Sequence, residues 1–162
     1  MGWRSTQETI AKTFIKPGDV IDLANEIIKM PTEESDVRGD VCEKAAKALR
    51  WVHTNITYTS DLALSGHFEF WQEPYWTIQV GHGDCDDMAW LLASILMVYG
   101  GDVRVLYGTM RSRLHIWVEH RMPPDEFVIL ESTNGQVYPA GDVHYHTIEV
   151  LFDSREWRKV GW

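Results

Sequence analysis

A long apolar stretch between Asp84 and Gly100 limits the folds that are open to this chain of 162 residues. Its large apolar residues recur at the spacing of a helix: Met88, Leu91, Leu92, Ile95 and Leu96. Gly100 and Gly101 then end the pattern, as glycine commonly does after a helix. Because so apolar a helix must be covered by other elements, the sequence predicts that the helix beginning at Cys85 is the most deeply buried of the chain.

Two further helices are predicted before this one. Asp19 precedes apolar residues at helical spacing, and Pro31 ends that first helix. Asp40, with Glu43 three residues later, is typical of a helix start, and this second helix extends to about Asn55. Both segments therefore contribute an apolar face that can cover the buried helix.

Two segments show no sustained period. Residues 1–18 are interpreted as an irregular N-terminal arm, with Trp3 and Phe14 as candidate anchors. Residues 58–83 are rich in aromatic side chains and are predicted to form ordered loop and short helix. The second segment is a candidate wall of a cleft.

Short alternating or apolar runs follow the buried helix and are separated by turn residues: 103–107, 114–119, 127–130 and 147–152. They predict an antiparallel sheet. With helices first and strands second, and without a repeat or a linker, the chain is expected to be an α+β protein. We treat residues 1–162 as one domain.

The composition excludes several classes of protein. A hydrophobic fraction of 44% is enough for one compact domain, and a net charge of −9 argues against a protein that tracks nucleic-acid phosphates. No apolar run reaches the roughly 18 residues that span a bilayer, and the first residues lack the apolar run of a secretory signal. Two cysteines are too few for a disulfide framework. We expect a soluble protein, cytoplasmic or in another reducing setting, that binds neither nucleic acid nor membrane.

Cys85 is the first candidate for chemistry. It opens the buried helix, where unpaired backbone N–H groups and the positive end of the helix dipole favour a thiolate. Asp84, Asp86 and Asp87 crowd the same turn and oppose a thiolate, unless they serve to cap the helix. The alternative interpretation is a small buried apolar residue, which is a common role of free cysteine and the one predicted for Cys42.

His115 is the second candidate. Strand alternation places it with Trp117 and Glu119 on the face opposite Leu114, Ile116 and Val118. A hairpin centred near Pro123 then puts His115 directly opposite Glu131, with the two Cβ atoms about 4.5 to 5.5 Å apart. In this register the other facing pairs are Trp117 with Ile129 and Glu119 with Phe127. A thiol at a helix start, a base and an acid that orients it are the general arrangement for nucleophilic amide chemistry.

Six segments, taken together, resemble the transglutaminase-like superfamily, whose members share the papain-like fold. These segments are Lys47-Ala48-Leu49-Arg50-Trp51-Val52, Ile56-Thr57-Tyr58, Trp71-Gln72-Glu73-Pro74, Gly83-Asp84-Cys85-Asp86-Asp87, His115-Ile116-Trp117-Val118-Glu119 and Leu130-Glu131-Ser132-Thr133. The resemblance implies a nucleophile helix packed on a small antiparallel sheet. It also implies Cys85 as nucleophile, His115 as base and Glu131 as third member, where the family more usually has aspartate.

The resemblance further implies an oxyanion hole. The backbone N–H of Cys85 is its natural first donor. Gln79, six residues before Cys85, has the spacing of the glutamine in papain-like proteases, and Trp71 matches a tryptophan that serves animal transglutaminases. Either side chain is a candidate for the second donor.

The function implied is hydrolysis of an amide, peptide or isopeptide bond through a thioester acyl-enzyme. The alternatives are a transglutaminase with an amine acceptor and a non-catalytic interaction module that keeps the fold. The expected partner is a peptide or protein substrate, and the resemblance permits cell-wall peptide cross-links. No cofactor is expected, calcium dependence is left open, and a metal site from His82, Cys85, His144 and His146 is the weakest alternative.

Overall fold

The computed structural model describes residues 2–31, 40–60 and 71–159. Its helices are α1 (Gly2–Phe14), α2 (Ile21–Ile28), α3 (Asp40–Asn55), α4 (Pro74–Val80), α5 (Cys85–Val98) and α6 (Ser154–Lys159), with a 3-10 helix at Pro17–Val20. Its strands are β1 (Thr57–Tyr58), β2 (His82–Gly83), β3 (Val103–Met110), β4 (Arg113–Met122), β5 (Glu126–Glu131), β6 (Gln136–Pro139) and β7 (Tyr145–Asp153).

The strands form two sheets. The larger has the order β6-β5-β4-β3-β7, and all of its neighbouring strands are antiparallel. The smaller pairs β1 with β2 in parallel, directly before α5. The predicted α+β arrangement, with a helix packed on an antiparallel sheet, is confirmed.

Helix α5 lies at the centre of the core, as predicted. Every residue from Asp86 to Leu96 is buried. The helix packs against β3 and β4 on one side and against α2, α3 and α4 on the others. A second, smaller apolar cluster fills the opposite face of the sheet: Leu106, Trp117 and Ile129, with Tyr138, Tyr145 and Val150 packed against them.

The prediction of an irregular N-terminal arm is wrong. Residues Gly2–Phe14 form α1, and Ala11 and Ile15 are buried in the core. The segment's weak pattern of Ile10, Ala11, Phe14 and Ile15 is a helical face of four-residue spacing, which becomes stable where it packs on α5 and β7. Phe14 is an anchor, as predicted, whereas the side chain of Trp3 lies outside the described residues.

The start of α2 also differs from the prediction. Pro17 begins a 3-10 turn that contains Asp19, and the residue before α2 is Val20, whose side chain makes no capping hydrogen bond. Proline presets the backbone for a helical turn at this point, so the tight turn begins before the aspartate. The second predicted helix, from Asp40 to Asn55, is confirmed as α3.

Candidate active site

Cys85 is the first residue of α5, and its carboxylate neighbours close the start of that helix. The Asp84 side chain accepts a hydrogen bond from the Asp86 N–H at 3.3 Å, and the Asp87 carboxylate accepts one from the Asp84 N–H at 3.2 Å. This reciprocal capping box satisfies backbone donors that a helix start leaves unpaired. The acidic residues therefore serve as caps, which is the role left open above, and Cys85 remains half-buried beside them.

Gln72, which no sequence pattern singles out, stabilises this turn by hydrogen bonds. Gln72 binds the buried Asp87 carboxylate with its backbone N–H at 2.7 Å and its side-chain amide at 2.9 Å. The same amide donates to the His82 carbonyl at 3.2 Å. The sequence carries one signal for this contact. Asp87 is followed by the apolar residues of the buried helix, so its carboxylate is expected to be buried and to need hydrogen-bond donors.

Gly83 allows this close packing. A Cβ atom built at residue 83 would lie 2.7 Å from the Asp87 Cβ, closer than side chains approach. Residue 83 also pairs with Tyr58 across the small parallel sheet. The glycine of the Gly83-Asp84-Cys85 element is therefore required by the packing of Asp87 beneath the nucleophile turn.

His115 lies near the start of β4 and links Cys85 to Glu131. Its Nε2 atom is 2.8 Å from Glu131 Oε2, and its ring also forms a side-chain hydrogen bond with Cys85. Because Glu131 occupies Nε2, Nδ1 is the ring nitrogen left to serve the thiol. The three side chains predicted from the sequence thus form one connected group.

The predicted register of the hairpin is wrong by two residues. Glu119 faces Ile129 and Met122 faces Glu126, so the hairpin is centred on Pro124 rather than Pro123. Carried one step further, this register sets Glu131 opposite position 117, and His115 is its diagonal neighbour. Both side chains still share a face, because a shift of the centre by one residue keeps facing positions on matching sides.

The Glu131 carboxylate, which is 1% exposed, is bound by two further residues. Tyr145 Oη donates to Oε2 at 2.8 Å. Thr133 donates to Oε1 from its hydroxyl at 2.8 Å and from its N–H at 3.2 Å. Neither residue was singled out from the sequence, and no local pattern points to Tyr145.

The pKa values of the pair shift in opposite directions. Burial acts to lower the pKa of His115, but its hydrogen bonds to Cys85 and Glu131 and the charge of Glu131 raise it to about 9. Burial acts to raise the pKa of Glu131, but the hydrogen bonds with His115, Tyr145 and Thr133 lower it. The pair is therefore an imidazolium and a carboxylate at neutral pH.

Aromatic rings enclose the imidazole. Trp117 stacks on it with ring centroids 6.1 Å apart, and the Tyr145 ring lies 6.4 Å away on a tilted plane. His115 is 8% exposed as a result. Contact with these rings excludes water from the histidine and fixes the plane of its ring.

A cavity of about 290 Å³ opens onto the thiol and the imidazole. Its lining consists of Tyr58, Cys85, Met110, Arg113, Leu114, His115 and Thr133. A larger cavity of about 340 Å³ lies near His120 and contains none of the three linked side chains. The smaller cavity is therefore the candidate substrate site, because Cys85 and His115 line it.

The two candidates for the second oxyanion donor lie apart from this lining. Gln79 is exposed on α4. Trp71 packs into the core cluster against Phe14 and Trp90, with ring centroids 5.4 and 5.6 Å away. The role of either side chain stays a prediction.

The residues weighed as a metal site are not brought together. His82 contacts Thr59 Oγ1 at 3.1 Å, and His144 contacts Asp142 at 3.0 Å. Among the described residues, the one group of three potential ligands is Asp84, Asp86 and Asp87, whose oxygens lie within 4.8 Å of one another. Capping contacts already engage all three carboxylates, so this donor set is explained by the helix start. In the part of the chain described, no helix is long and apolar enough to cross a membrane.

Comparison with known proteins agrees with this fold. The family model described as the transglutaminase-like superfamily matches residues 21–132. Calcium-bound LapG of Legionella pneumophila is similar over 79% of this chain and 71% of its own, at 19% identity and a TM-score of 0.62. A candidate cysteine protease from Cytophaga hutchinsonii is similar over 89% of this chain and 45% of its own, at 18% identity and a TM-score of 0.63. No curated protein matches the chain in sequence.

Proposed function

Because the chain belongs to the transglutaminase-like superfamily, we propose that it is a cysteine-nucleophile hydrolase that cleaves amide, peptide or isopeptide bonds. The observation that carries the proposal is that one imidazole, that of His115, hydrogen-bonds both Cys85 and Glu131. A thiol, a base and an orienting acid in contact are what nucleophilic acyl transfer requires.

The proposed reaction has two steps. In the first, the Cys85 sulfur attacks the carbonyl carbon, and the His115 imidazolium gives a proton to the departing nitrogen, which leaves a thioester and a free amine. In the second, neutral His115 takes a proton from water as the water oxygen attacks the thioester carbon. The sulfur then departs, a carboxylic acid is released, and the imidazole holds the proton again.

Several features of the site support this sequence of events. The raised pKa of His115, about 9, means that the imidazole holds a proton at neutral pH and can donate it to a leaving amine. The backbone N–H of Cys85, at a helix start, is a donor for the developing oxyanion. The cavity gives a carbonyl group access to the sulfur.

The substrate class proposed is a peptide or protein, and the structural neighbour from Cytophaga hutchinsonii, which is described as a candidate cysteine protease, supports hydrolysis over transamidation. Water needs no binding site of its own, whereas an amine acceptor does. Fluorescent casein, incubated with and without dansylcadaverine, separates the two reactions: soluble fragments indicate hydrolysis, and attachment of the dansyl group indicates transamidation. The assay is run with calcium and with EGTA, because a LapG structure is calcium-bound.

The first test is substrate-independent. Iodoacetamide labelling is followed across pH by mass spectrometry, with Cys42 as an internal control. We expect Cys85 to be alkylated faster than Cys42 at neutral and mildly acidic pH, and to lose this reactivity in His115→Ala. If Cys85 reacts no faster than a free thiol and ignores the substitution, the hydrolase proposal fails and a non-catalytic interaction module takes its place.

A further inference from the structure

The acid of the site, Glu131, must keep a long side chain in one orientation. Glu131 is a diagonal neighbour of His115, and its side chain has one more rotatable bond than the aspartate that is usual in the family. Diagonal positions in a sheet lie about 7 to 8 Å apart, so the carboxylate meets the imidazole by reaching along the strand rather than straight across to its facing position. A side chain of this length needs external contacts to stay in one rotamer.

Those contacts are present on both carboxylate oxygens. Oε2 receives the Tyr145 hydroxyl at 2.8 Å beside the His115 contact at 2.8 Å. Oε1 receives the Thr133 hydroxyl at 2.8 Å and its N–H at 3.2 Å. With all four donors in place, the carboxylate can rotate neither about its own axis nor away from the ring without losing a charge-assisted hydrogen bond.

The position of Tyr145 depends on the curvature of the sheet. Tyr145 belongs to β7 and Glu131 to β5, which are separated by β4 and β3. Neighbouring strands lie about 4.8 Å apart, so in a flat sheet the two strands would be roughly 14 Å apart, and the two side chains would meet only if both were fully extended toward each other. The Tyr145 ring also meets Trp117 and Tyr138, with centroids 5.1 and 5.8 Å away. Because Tyr138 and Tyr145 belong to the two edge strands, this contact indicates that the sheet is curved.

We infer that Tyr145 and Thr133 are positioning residues, which hold the Glu131 carboxylate charged and aligned on His115; the inference rests on the hydrolase function proposed above. In this role both act through Glu131. Burial and the Glu131 charge raise the pKa of Tyr145, so its hydroxyl remains a hydrogen-bond donor at every working pH.

The charged and titratable groups around Glu131 come from four elements. His115 faces it from β4 and Tyr145 from β7, while Cys85 of α5 and Tyr138 of β6 lie one contact further away. Of these, His115 is a cation at neutral pH. The Tyr145 and Thr133 hydroxyls also favour the ionised carboxylate, because both donate hydrogen bonds to it. Without either hydroxyl, Glu131 takes up a proton at a higher pH.

The test follows the Glu131 carboxyl carbon by NMR in protein labelled with ¹³C-glutamate, with the signal assigned by its loss in Glu131→Gln. We expect Tyr145→Phe and Thr133→Val each to move the titration of Glu131 upward by roughly half to one pH unit. Tyr138→Phe is the matched control, because its ring also packs on Tyr145 while its hydroxyl accepts a hydrogen bond from Asn134 at 2.9 Å. Thr133→Ser, which keeps the hydroxyl, should restore the wild-type titration.

A second measurement links this titration to reactivity. The acid limb of Cys85 alkylation should move toward higher pH in Tyr145→Phe and in Thr133→Val, and it should stay in place in Tyr138→Phe. The inference is overturned if wild-type Cys85 is reactive and both variants leave the Glu131 titration and the acid limb unchanged. A wild-type Cys85 that reacts like a free thiol instead removes the hydrolase proposal, so the two failures are distinct.

Discussion

At the scale of single residues, the length of Glu131 decides whether the base is oriented. The carboxylate reaches His115 Nε2 at 2.8 Å from a diagonal position of the sheet. Aspartate is shorter by one methylene group, so from the same position it loses this contact. We expect Glu131→Asp to slow Cys85 alkylation near neutral pH about tenfold, with Glu126→Asp, on the same strand but exposed, as the unaffected control. An unchanged rate in Glu131→Asp would show that the length of Glu131 is not what orients the base.

Charge is a separate property of the same residue. The negative charge of Glu131 favours the imidazolium and helps raise the pKa of His115 to about 9. Glu131→Gln keeps the length and removes the charge, so the pKa of His115 should fall, and the imidazolium should be lost at a lower pH than in the wild type. Titration of ¹⁵N-histidine signals by NMR measures this directly, with the His115 signal assigned through His115→Asn. A His115 that still titrates near 9 in Glu131→Gln would show that the charge is not the cause.

At the scale of elements, the start of α5 depends on a contact from outside the helix. Gln72 gives two hydrogen bonds to the Asp87 carboxylate, which is fully buried. Gln72→Ala removes the side-chain bond and leaves a buried charge less well satisfied, so the free energy of unfolding should fall by about 2 kcal/mol. Urea denaturation measures the change. Gln79→Ala, at an exposed glutamine of the neighbouring α4, should leave the midpoint unchanged.

Pairing of β3 with β7 depends on a glycine. The register shifts between Tyr107 and Gly108, and a Cβ atom at residue 108 would lie 2.0 Å from the His146 carbonyl oxygen. Because that oxygen belongs to the backbone, the strands must separate to admit a methyl group. Gly108→Ala should lower the free energy of unfolding by about 2 kcal/mol, whereas Gly141→Ala, which meets open space, should have little effect. Thermal denaturation of the two variants compares them under one condition.

At the scale of the whole molecule, helix α1 joins the core although it precedes the segment that the family model matches. Ile15, directly after α1, is 2% exposed in the main core cluster. Ile15→Ala should therefore lower the free energy of unfolding by about 3 kcal/mol in urea denaturation. Ile21→Ala removes the same atoms from a side chain that is 47% exposed, and it should cost far less. Equal losses in the two variants would mean that Ile15, at the end of this N-terminal segment, does not pack in the core as described.

Local patterns carried most of the fold prediction. The helical period of the apolar residues from Met88 to Leu96 identified α5. The pair Asp40 and Glu43, which is typical of a helix start, identified α3. Both patterns arise within one or two turns of chain, where the hydrophobic period reflects the buried face directly. Helix α1 was missed because its apolar face is narrow and is stabilised only by packing on distant elements.

The sequence by itself determined the identity of the linked side chains: a thiol at a helix start, and a histidine and an acid at positions that share one face of a hairpin. Alternation within a strand is local, so it survived an error of one residue in the turn centre. Only the tertiary structure decided the diagonal register, the hydrogen bond from Gln72 to Asp87 and the hydrogen bond from Tyr145 to Glu131. These contacts join segments far apart in the chain, and they depend on sheet curvature and loop paths that no short-range pattern encodes.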